Sequence, residues 1–408
     1  MMNPYINRYE NNLYYILSED SSEYQISPEL QRQTVIVMNL YYLDTLGRYL
    51  EYLNNIPDEI RIIVVSSVEE LLEESKEYVR VKNIKNVEFV RKENRGRDLS
   101  AFLVVCREEI LKYKYFCFVH DKKSGTEKLD AETDFWIENL WNNTLKNSKY
   151  IANVLQIFEK KSYIGLLVPP EPIGELRSHW FTNNWGKNYL IAKEMVEKLG
   201  IHCDMDPNIP VITLGTVFWG RTCALNKILN YAWKYDDFPK EPMPIDGTIS
   251  HALERLLAFV AQDTGYETAT IMCSSYAEKM MGLLQYNMFK MFSLLSNVAP
   301  VKNMKELSEV SRIEKFYNRF NYIYLYGAGK VGKRCLQLMR RINCEPNGFI
   351  VSQKEGCKEE IEDIPIIGIE QLDVTDEVGI IVTVGDCYKE EIEKMIKSKG
   401  IKNYLFFA

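Results

Sequence analysis

The sequence predicts an α/β fold in two parts, each with a mostly parallel sheet, and three observations predict it. Short β-branched runs recur with room for about one helix between them. Clusters of charged residues sit directly after two of those runs, where the loops of a parallel sheet gather ligands. Near the C-terminus, Gly327, Gly329 and Gly332 stand between an apolar run and a helical stretch, as in a Rossmann-like turn.

Residues 1–33 are polar and mixed and are expected to form an irregular or helical lead-in. Regular structure begins at Thr34–Met38, a strand suited to burial on both faces. Leu43–Leu53 reads as a helix ended by the turn through Pro57, and Arg61–Val65 as the second strand. Helix Glu69–Tyr78, strand Val87–Val90, helix Leu99–Tyr113 and strand Tyr115–Val119 follow. Ile164–Val168 and Val211–Trp219 are further strands. Pro244–Leu256 opens a long helix whose Ile249, Ala252, Leu253, Leu256 and Val260 make a core-facing stripe. Residues 272–318 read as mainly helical. Strands Tyr322–Tyr326, Asn347–Ser352, Val378–Val384 and Asn403–Phe407, with helices from Lys333 and over 387–397, complete the second part. The expected organisation is a lead-in over 1–33, an α/β domain over 34–275, a helical linker over 276–320 and a Rossmann-like domain over 321–408.

Composition narrows the function classes. Hydrophobic residues at 46% and charged residues at 26% describe a globular chain of 408 residues, long enough for two domains. A formal net charge of −7 argues against a nucleic-acid-coating surface, so no nucleic-acid partner is expected. The nine cysteines are scattered without a CxxC pair, which favours a reducing compartment. The first residues lack an apolar signal core, and no stretch reaches the roughly 18 apolar residues of a membrane span. A cytoplasmic protein is the expectation.

Four segments carry residues fit for chemistry. Asn94, Arg95, Gly96, Arg97 and Asp98 follow the third strand and can cradle a diphosphate with guanidinium forks and backbone amides. Asp98 would then bind a sugar or ribose hydroxyl; the alternative is a solvated turn with Asp98 capping the next helix. His120, Asp121, Lys122 and Lys123 follow the fourth strand, and two lysines there would offset a departing diphosphate. Asp121 could ligate Mg²⁺ or Mn²⁺, although one carboxylate is a poor hard-metal site. Asp246 stands before Gly247 at the mouth of a helix, as an N-cap or as the base that takes an acceptor proton, with His251 and Glu254 further along. Trp180, Asn184 and Trp185, with Trp219 further on, offer rings and amides to a sugar or serve as core.

At these residues the chain resembles the rhamnan synthesis protein F family over about 34 to 275. The resemblance rests on VIVMNLYYLDTL from Val35, ENRGRD at 93–98, FVHDKKSG at 118–125 and LVPPEP at 167–172. It continues through NNWG at 183–186, LGTVFWGR at 214–221 and PIDGTISHALERLL at 244–257. It implies a GT-A-like glycosyltransferase of polysaccharide assembly, with dTDP-L-rhamnose as a typical nucleotide-sugar donor. It also implies that Asn94 to Asp98 is the nucleotide-sugar loop and Asp246 the acceptor-side carboxylate. Where such enzymes carry Asp-x-Asp for a metal, this sequence reads His120-Asp121-Lys122. The implied acceptor is a glycan or lipid-linked glycan, which brings peripheral membrane contact into view. Leu284, Met288, Met291 and Leu295 fall at helical spacing and would either rest in the headgroup region or pack between domains.

Two other functions stay open beside the transferase: a non-catalytic glycan-binding or scaffold protein, and a dinucleotide-dependent enzyme centred on Gly327–Gly332. The strand ending near Val351-Ser352-Gln353 offers no acid for a dinucleotide ribose, so NAD is not the expected ligand. A transferase using a different sugar donor is the closest variant of the main reading.

Overall fold

The computed structural model describes residues 13–123, 130–170, 185–203, 205–207, 213, 215–298 and 304–407. The chain divides into two units, residues 1–283 and 284–408.

In the first unit, the described residues place eight strands in one sheet. They are β1 (Tyr14–Leu17), β2 (Thr34–Asn39), β3 (Arg61–Ser66), β4 (Val87–Arg91), β5 (Tyr115–His120), β6 (Ile164–Val168), β7 (Phe218–Arg221) and β8 (Glu267–Cys273). Their order across the sheet is β1-β8-β6-β7-β5-β2-β3-β4. Every neighbouring pair is parallel except the two made by β7, which runs against β5 and β6. All residues of β2, β5 and β6 are buried, which is why these strands read as continuous apolar runs without alternation.

This topology positions the site. Asn39 lies opposite His120 and Ser66 opposite Arg91, so β2, β3, β4 and β5 end along one edge. Because β7 is antiparallel, its entry at Phe218 lies beside Phe118, near that same edge. The segment before β7 therefore meets the loops after β4 and β5.

Packing fixes the strand faces. Phe102, Phe116, Phe118 and Phe218 form an aromatic cluster with ring centroids 5.0 to 5.7 Å apart. Helix Ile249–Asp263 lays Ala252, Leu253, Leu256 and Val260 on the same core, with Ile249 partly buried at its start. The stripe is wider than its sequence spacing predicts, since Leu257, Phe259 and Ala261 also join that core.

Several elements differ from expectation; the helix expected over Leu43–Leu53, for one, is helical in α form only at Leu46–Leu50, between two 3-10 turns. The stretch read as one helix over Leu99–Tyr113 is a short helix at Arg97–Ser100, a π-helical turn at Ala101–Val105 and another short helix at Arg107–Ile110. The Cys106 amide bonds Ala101 O, and this wider turn lets Ala101, Phe102 and Leu103 be buried in succession. Of the strand expected over Val211–Trp219, Val211, Ile212 and Leu214 lie outside the described residues, and Gly215 and Thr216 both take positive φ, so that the described strand is Phe218–Arg221. Within the expected lead-in, Tyr14–Leu17 is an edge strand paired with β8; its alternation spans only four residues, too short to announce a strand.

The second unit has a sheet ordered β11-β12-β10-β9-β13-β14 among its described residues. These strands are β9 (Tyr322–Tyr326), β10 (Gly348–Val351), β11 (Glu360–Ile361), β12 (Ile364–Gly368), β13 (Val378–Val382) and β14 (Tyr404–Phe406). All neighbours are parallel except β11 and β12. Ile323, Leu325, Phe349 and Ile381 meet Leu336 and Met339 of helix Lys330–Arg341 in its core.

Glu19, just beyond β1, ties the N-terminal segment to the start of helix Ser274–Val298. Its carboxylate accepts bonds from the Ser274 and Ser275 amides at 2.8 and 2.9 Å and from the Ser274 hydroxyl at 2.5 Å. Burial alone would raise its pKa, but those bonds outweigh it and bring it down to about 2. The stability it supplies is complete above the unfolded value of ~4.3 and is lost as pH falls toward 2. Glu19→Gln should therefore cost about 1–3 kcal/mol at neutral pH, a deficit that shrinks through acid pH. Urea unfolding at several pH values checks this, and a pH-independent deficit would contradict it.

Candidate functional site

The loop after β4 is built around a buried lysine. Lys92 donates to Glu93 O at 2.8 Å and Arg95 O at 3.4 Å, and burial brings its pKa down to about 8. Gly96 follows at φ +70°, where a Cβ would lie 2.8 Å from Phe238 Cβ and Cγ; only glycine fits both demands. Arg97 continues the turn at φ +44°.

The two arginines part here. Arg95 turns inward, with Nε on Phe238 O at 2.8 Å and Nη1 on Asp236 at 2.6 Å. Its fork holds the loop in place, a different use from the phosphate contact expected of it. Arg97 stays about half exposed, with Glu241 at 3.7 Å and Met243 O at 3.5 Å. Asn94 is exposed on the same turn. Asp98 does not cap the next helix. Its largely covered carboxylate accepts the Thr216 hydroxyl and lies 3.9 Å from His120 Nε2. Burial pushes its pKa up, but the charges of His120 and Lys122 and the Thr216 bond hold it below the usual range.

At the end of β5, His120 Nε2 meets Gly215 O at 2.8 Å and Nδ1 meets Asp121 O at 2.9 Å. Burial lowers its pKa despite the neighbouring Asp98 carboxylate. Asp121 is buried, and its Oδ2 accepts the Tyr41 and Tyr42 amides at 2.7 and 2.8 Å. Burial raises its pKa to about 6. The Lys122 backbone is fixed from both sides by the Tyr49 hydroxyl, which accepts from its amide and donates to its carbonyl. Lys123 pairs with Asp44.

Gly215 and Thr216 form a turn with φ of +91° and +42°. Sequence reasoning left both out of the site. Their signal was a glycine preceding a β-branched run, where a strand was expected instead. The Gly215 amide donates to Glu254 Oε1, so the Glu254 carboxylate supports this turn. This bond gives Glu254 a supporting place beside the turn, apart from the catalytic role expected of it.

Asp246 sits where the chain enters helix Ile249–Asp263, but Thr248 is the N-cap residue. Asp246 instead accepts the Lys187 amide at 3.0 Å and Asn188 Nδ2 at 2.5 Å. Burial pushes its pKa up, and those bonds more than offset it, so the carboxyl stays below its ordinary range. Gly186 packs so closely that a Cβ would come 2.5 Å from Asp246 Oδ2. His251 is half-buried, its Nδ1 2.8 Å from the Thr248 hydroxyl. Burial lowers its pKa; the charges of Glu254, Arg255, Asp246 and Arg97 all reach it.

The aromatic expectations divide. Trp185 is wholly buried and donates to Asp206 O at 3.2 Å, against Tyr189 and Phe259. Trp219 is equally buried, with its indole N–H on Thr144 O at 2.9 Å. Both are core residues, which corrects their expected sugar contacts; Trp180 and Asn184 lie outside the described residues. In the second unit, a Cβ on Gly327 would lie 2.7 Å from Thr383 O and one on Gly332 2.0 Å from Gly327 O. These two glycines are required by packing, whereas a Cβ on Gly329 would meet nothing within 4 Å. The Tyr326 and Ser352 hydroxyls pair at 2.8 Å at the ends of β9 and β10.

Gly96→Ala should destabilise the first unit by roughly 2–4 kcal/mol, since it combines an unfavourable φ with a clash on Phe238. Gly200→Ala, at φ +62° with open space around it, should cost only about 1 kcal/mol. Denaturant unfolding of the two variants compares them directly. Equal costs would remove the steric account of the loop.

The family model for rhamnan synthesis protein F matches residues 2–266. Proteins from two strains of Xanthomonas campestris pv. campestris, both named Uncharacterized protein WxcX, are 24% identical over 240 residues. Those matches cover 58% of this chain and 32% of the relatives, so the chain spans about a third of their length. Among solved structures, the mannosyltransferase PcManGT from Pyrobaculum calidifontis, in complex with GDP-Man and Mn2+, aligns over 63% of this chain and 60% of its own. Its identity is 11% and the TM-score 0.33, a likeness too slight to carry an argument. The loops, turn and helix mouth of the first unit all lie inside the matched span, and the chain belongs to the rhamnan synthesis protein F family of polysaccharide biosynthesis.

Proposed function

We propose that the first unit is a GT-A-like, nucleotide-sugar-dependent glycosyltransferase that extends a cell-surface polysaccharide or lipid-linked glycan. L-Rhamnose from dTDP-L-rhamnose is the donor that the family resemblance implies. The observation carrying this reading is the convergence of Asp98, His120–Lys122, Gly215–Thr216 and the His251 helix mouth at one sheet edge. Basic groups from one side and proton-accepting groups from the other meet there, as sugar transfer requires.

In this reading Arg97 and Lys122 face the donor diphosphate. The bond from the anomeric carbon to the phosphate oxygen breaks, and the nucleoside diphosphate leaves with the electron pair. Fixed positive charge offsets its developing negative charge. The acceptor oxygen bonds the anomeric carbon, and its proton passes to His251. Asp246 serves less well as that base, since two N–H bonds hold its pKa low, while burial keeps His251 neutral near pH 7. Asp246 orients the acceptor side by joining Asn188 to the helix mouth.

The proposed place of work is the cytoplasmic face of a membrane that presents the lipid-linked acceptor. Among the described residues no helix is long and apolar enough to cross a membrane. Met281, Met288, Phe289 and Met291 are exposed on helix Ser274–Val298, while Leu284 is half-buried and the Leu295 side chain lies outside the described residues.

His251→Asn should reduce sugar transfer by ~10²–10⁴-fold with donor affinity retained. The acid limb of the wild-type rate should follow an ionisation below the ordinary ~6.5 of histidine, activity being lost as His251 gains a proton. Release of nucleoside diphosphate from dTDP-L-rhamnose with a lipid-linked acceptor measures both. Near-normal turnover in His251→Asn, with turnover abolished in a folded, donor-binding Asp246→Asn, would return the base to Asp246.

A further inference from the structure

We infer that Lys122, with Arg97, takes the place of a divalent cation at this site, so that nucleoside diphosphate is bound without a metal. The inference rests on the transferase reading and deepens it.

Mg²⁺ or Mn²⁺ at a diphosphate needs near-octahedral oxygen ligands, usually one or two carboxylates with free oxygens turned to the phosphates. The two carboxylates at the ends of β4 and β5 do not offer that. Asp121 is buried with Oδ2 held between the Tyr41 and Tyr42 amides. Asp98 is committed to the Thr216 hydroxyl and lies beside His120. Among the described residues no three His, Cys, Asp or Glu side chains come together to hold a metal. The donor set does not fit the cation that the glycosyltransferase fold implies.

A cation on an anchored backbone is present instead. Both backbone groups of Lys122 are anchored on the Tyr49 hydroxyl, which sets the direction in which its side chain leaves. That side chain passes over Gly215: a Cβ there would lie 3.8 Å from Lys122 Cε. Its charge acts on both Asp98 and His120, which places it at the turn where the loops after β4 and β5 meet. Arg97 adds a second charge from the neighbouring loop, felt at Tyr42 and His251. Two cations from two loops thus bracket this edge, and they would repel a dication placed between them while attracting a diphosphate.

The test is calorimetric titration of the full chain with dTDP and with UDP, in EDTA and then in excess MgCl₂ or MnCl₂. Affinity in EDTA should stay within roughly twofold of that with metal. Lys122→Ala should weaken binding about tenfold or more in both buffers, and Lys122→Arg should retain most of it. Thermal unfolding verifies that each variant is folded, and Lys122→Gln replaces the alanine variant if that one is not. Binding that appears only with metal, or that survives loss of the lysine charge, would overturn the inference and leave the transferase reading standing. Failure to bind either nucleotide in both buffers would overturn the two together.

Discussion

The turn at Gly215–Thr216 is held from three directions, and the rest of the site is arranged around it. Asp98 takes the Thr216 hydroxyl, His120 contacts the Gly215 carbonyl, and Glu254 takes the Gly215 amide. A threonine at positive φ is unfavourable, and it persists only where its surroundings over-determine it. The three holding residues come from the loop after β4, the end of β5 and the helix Ile249–Asp263. Fixing one dipeptide therefore fixes the relative placement of three elements that are far apart in sequence. The antiparallel direction of β7 makes this possible, because it delivers the turn to the edge where the parallel strands finish.

The buried charges follow one rule. Lys92 is matched by two carbonyls and Asp121 by two amides, and the half-buried Asp246 is held in the same way by an amide and a side-chain amide. An unmatched buried charge would cost several kcal/mol, so backbone groups carry much of the work of fixing the loops. Arg95 does the same through Asp236 and Phe238. That division leaves Arg97, about half exposed, facing outward from a loop whose shape is already set.

The strands were legible because burial on both faces writes itself as continuous β-branched runs, and the charged loops were legible because they follow those runs. What each side chain does within the loops was not. Arg95 and Arg97 are indistinguishable in sequence, and only Asp236 and Phe238, some 140 positions away, decide that the first turns inward. Trp185 and Trp219 carry the composition of a sugar platform, yet their indole N–H groups are satisfied by backbone carbonyls inside the core. The edge strand at Tyr14–Leu17 was hidden by its brevity, and Glu19, which fastens its far end, has its partners at Ser274 and Ser275. In the second unit the glycine pattern was read correctly as a strand-to-helix turn, but two of its three glycines answer to packing and so say little about a ligand.

The central claim is that nucleotide sugar binds at the loop-and-turn edge of the first unit. Amide hydrogen exchange of the full chain, with and without saturating dTDP-L-rhamnose, tests it most directly. The account predicts slowed exchange in 92–98, 120–123 and 215–217, with 327–334 unchanged. Protection confined to 327–334 would contradict it and move the nucleotide to the second unit.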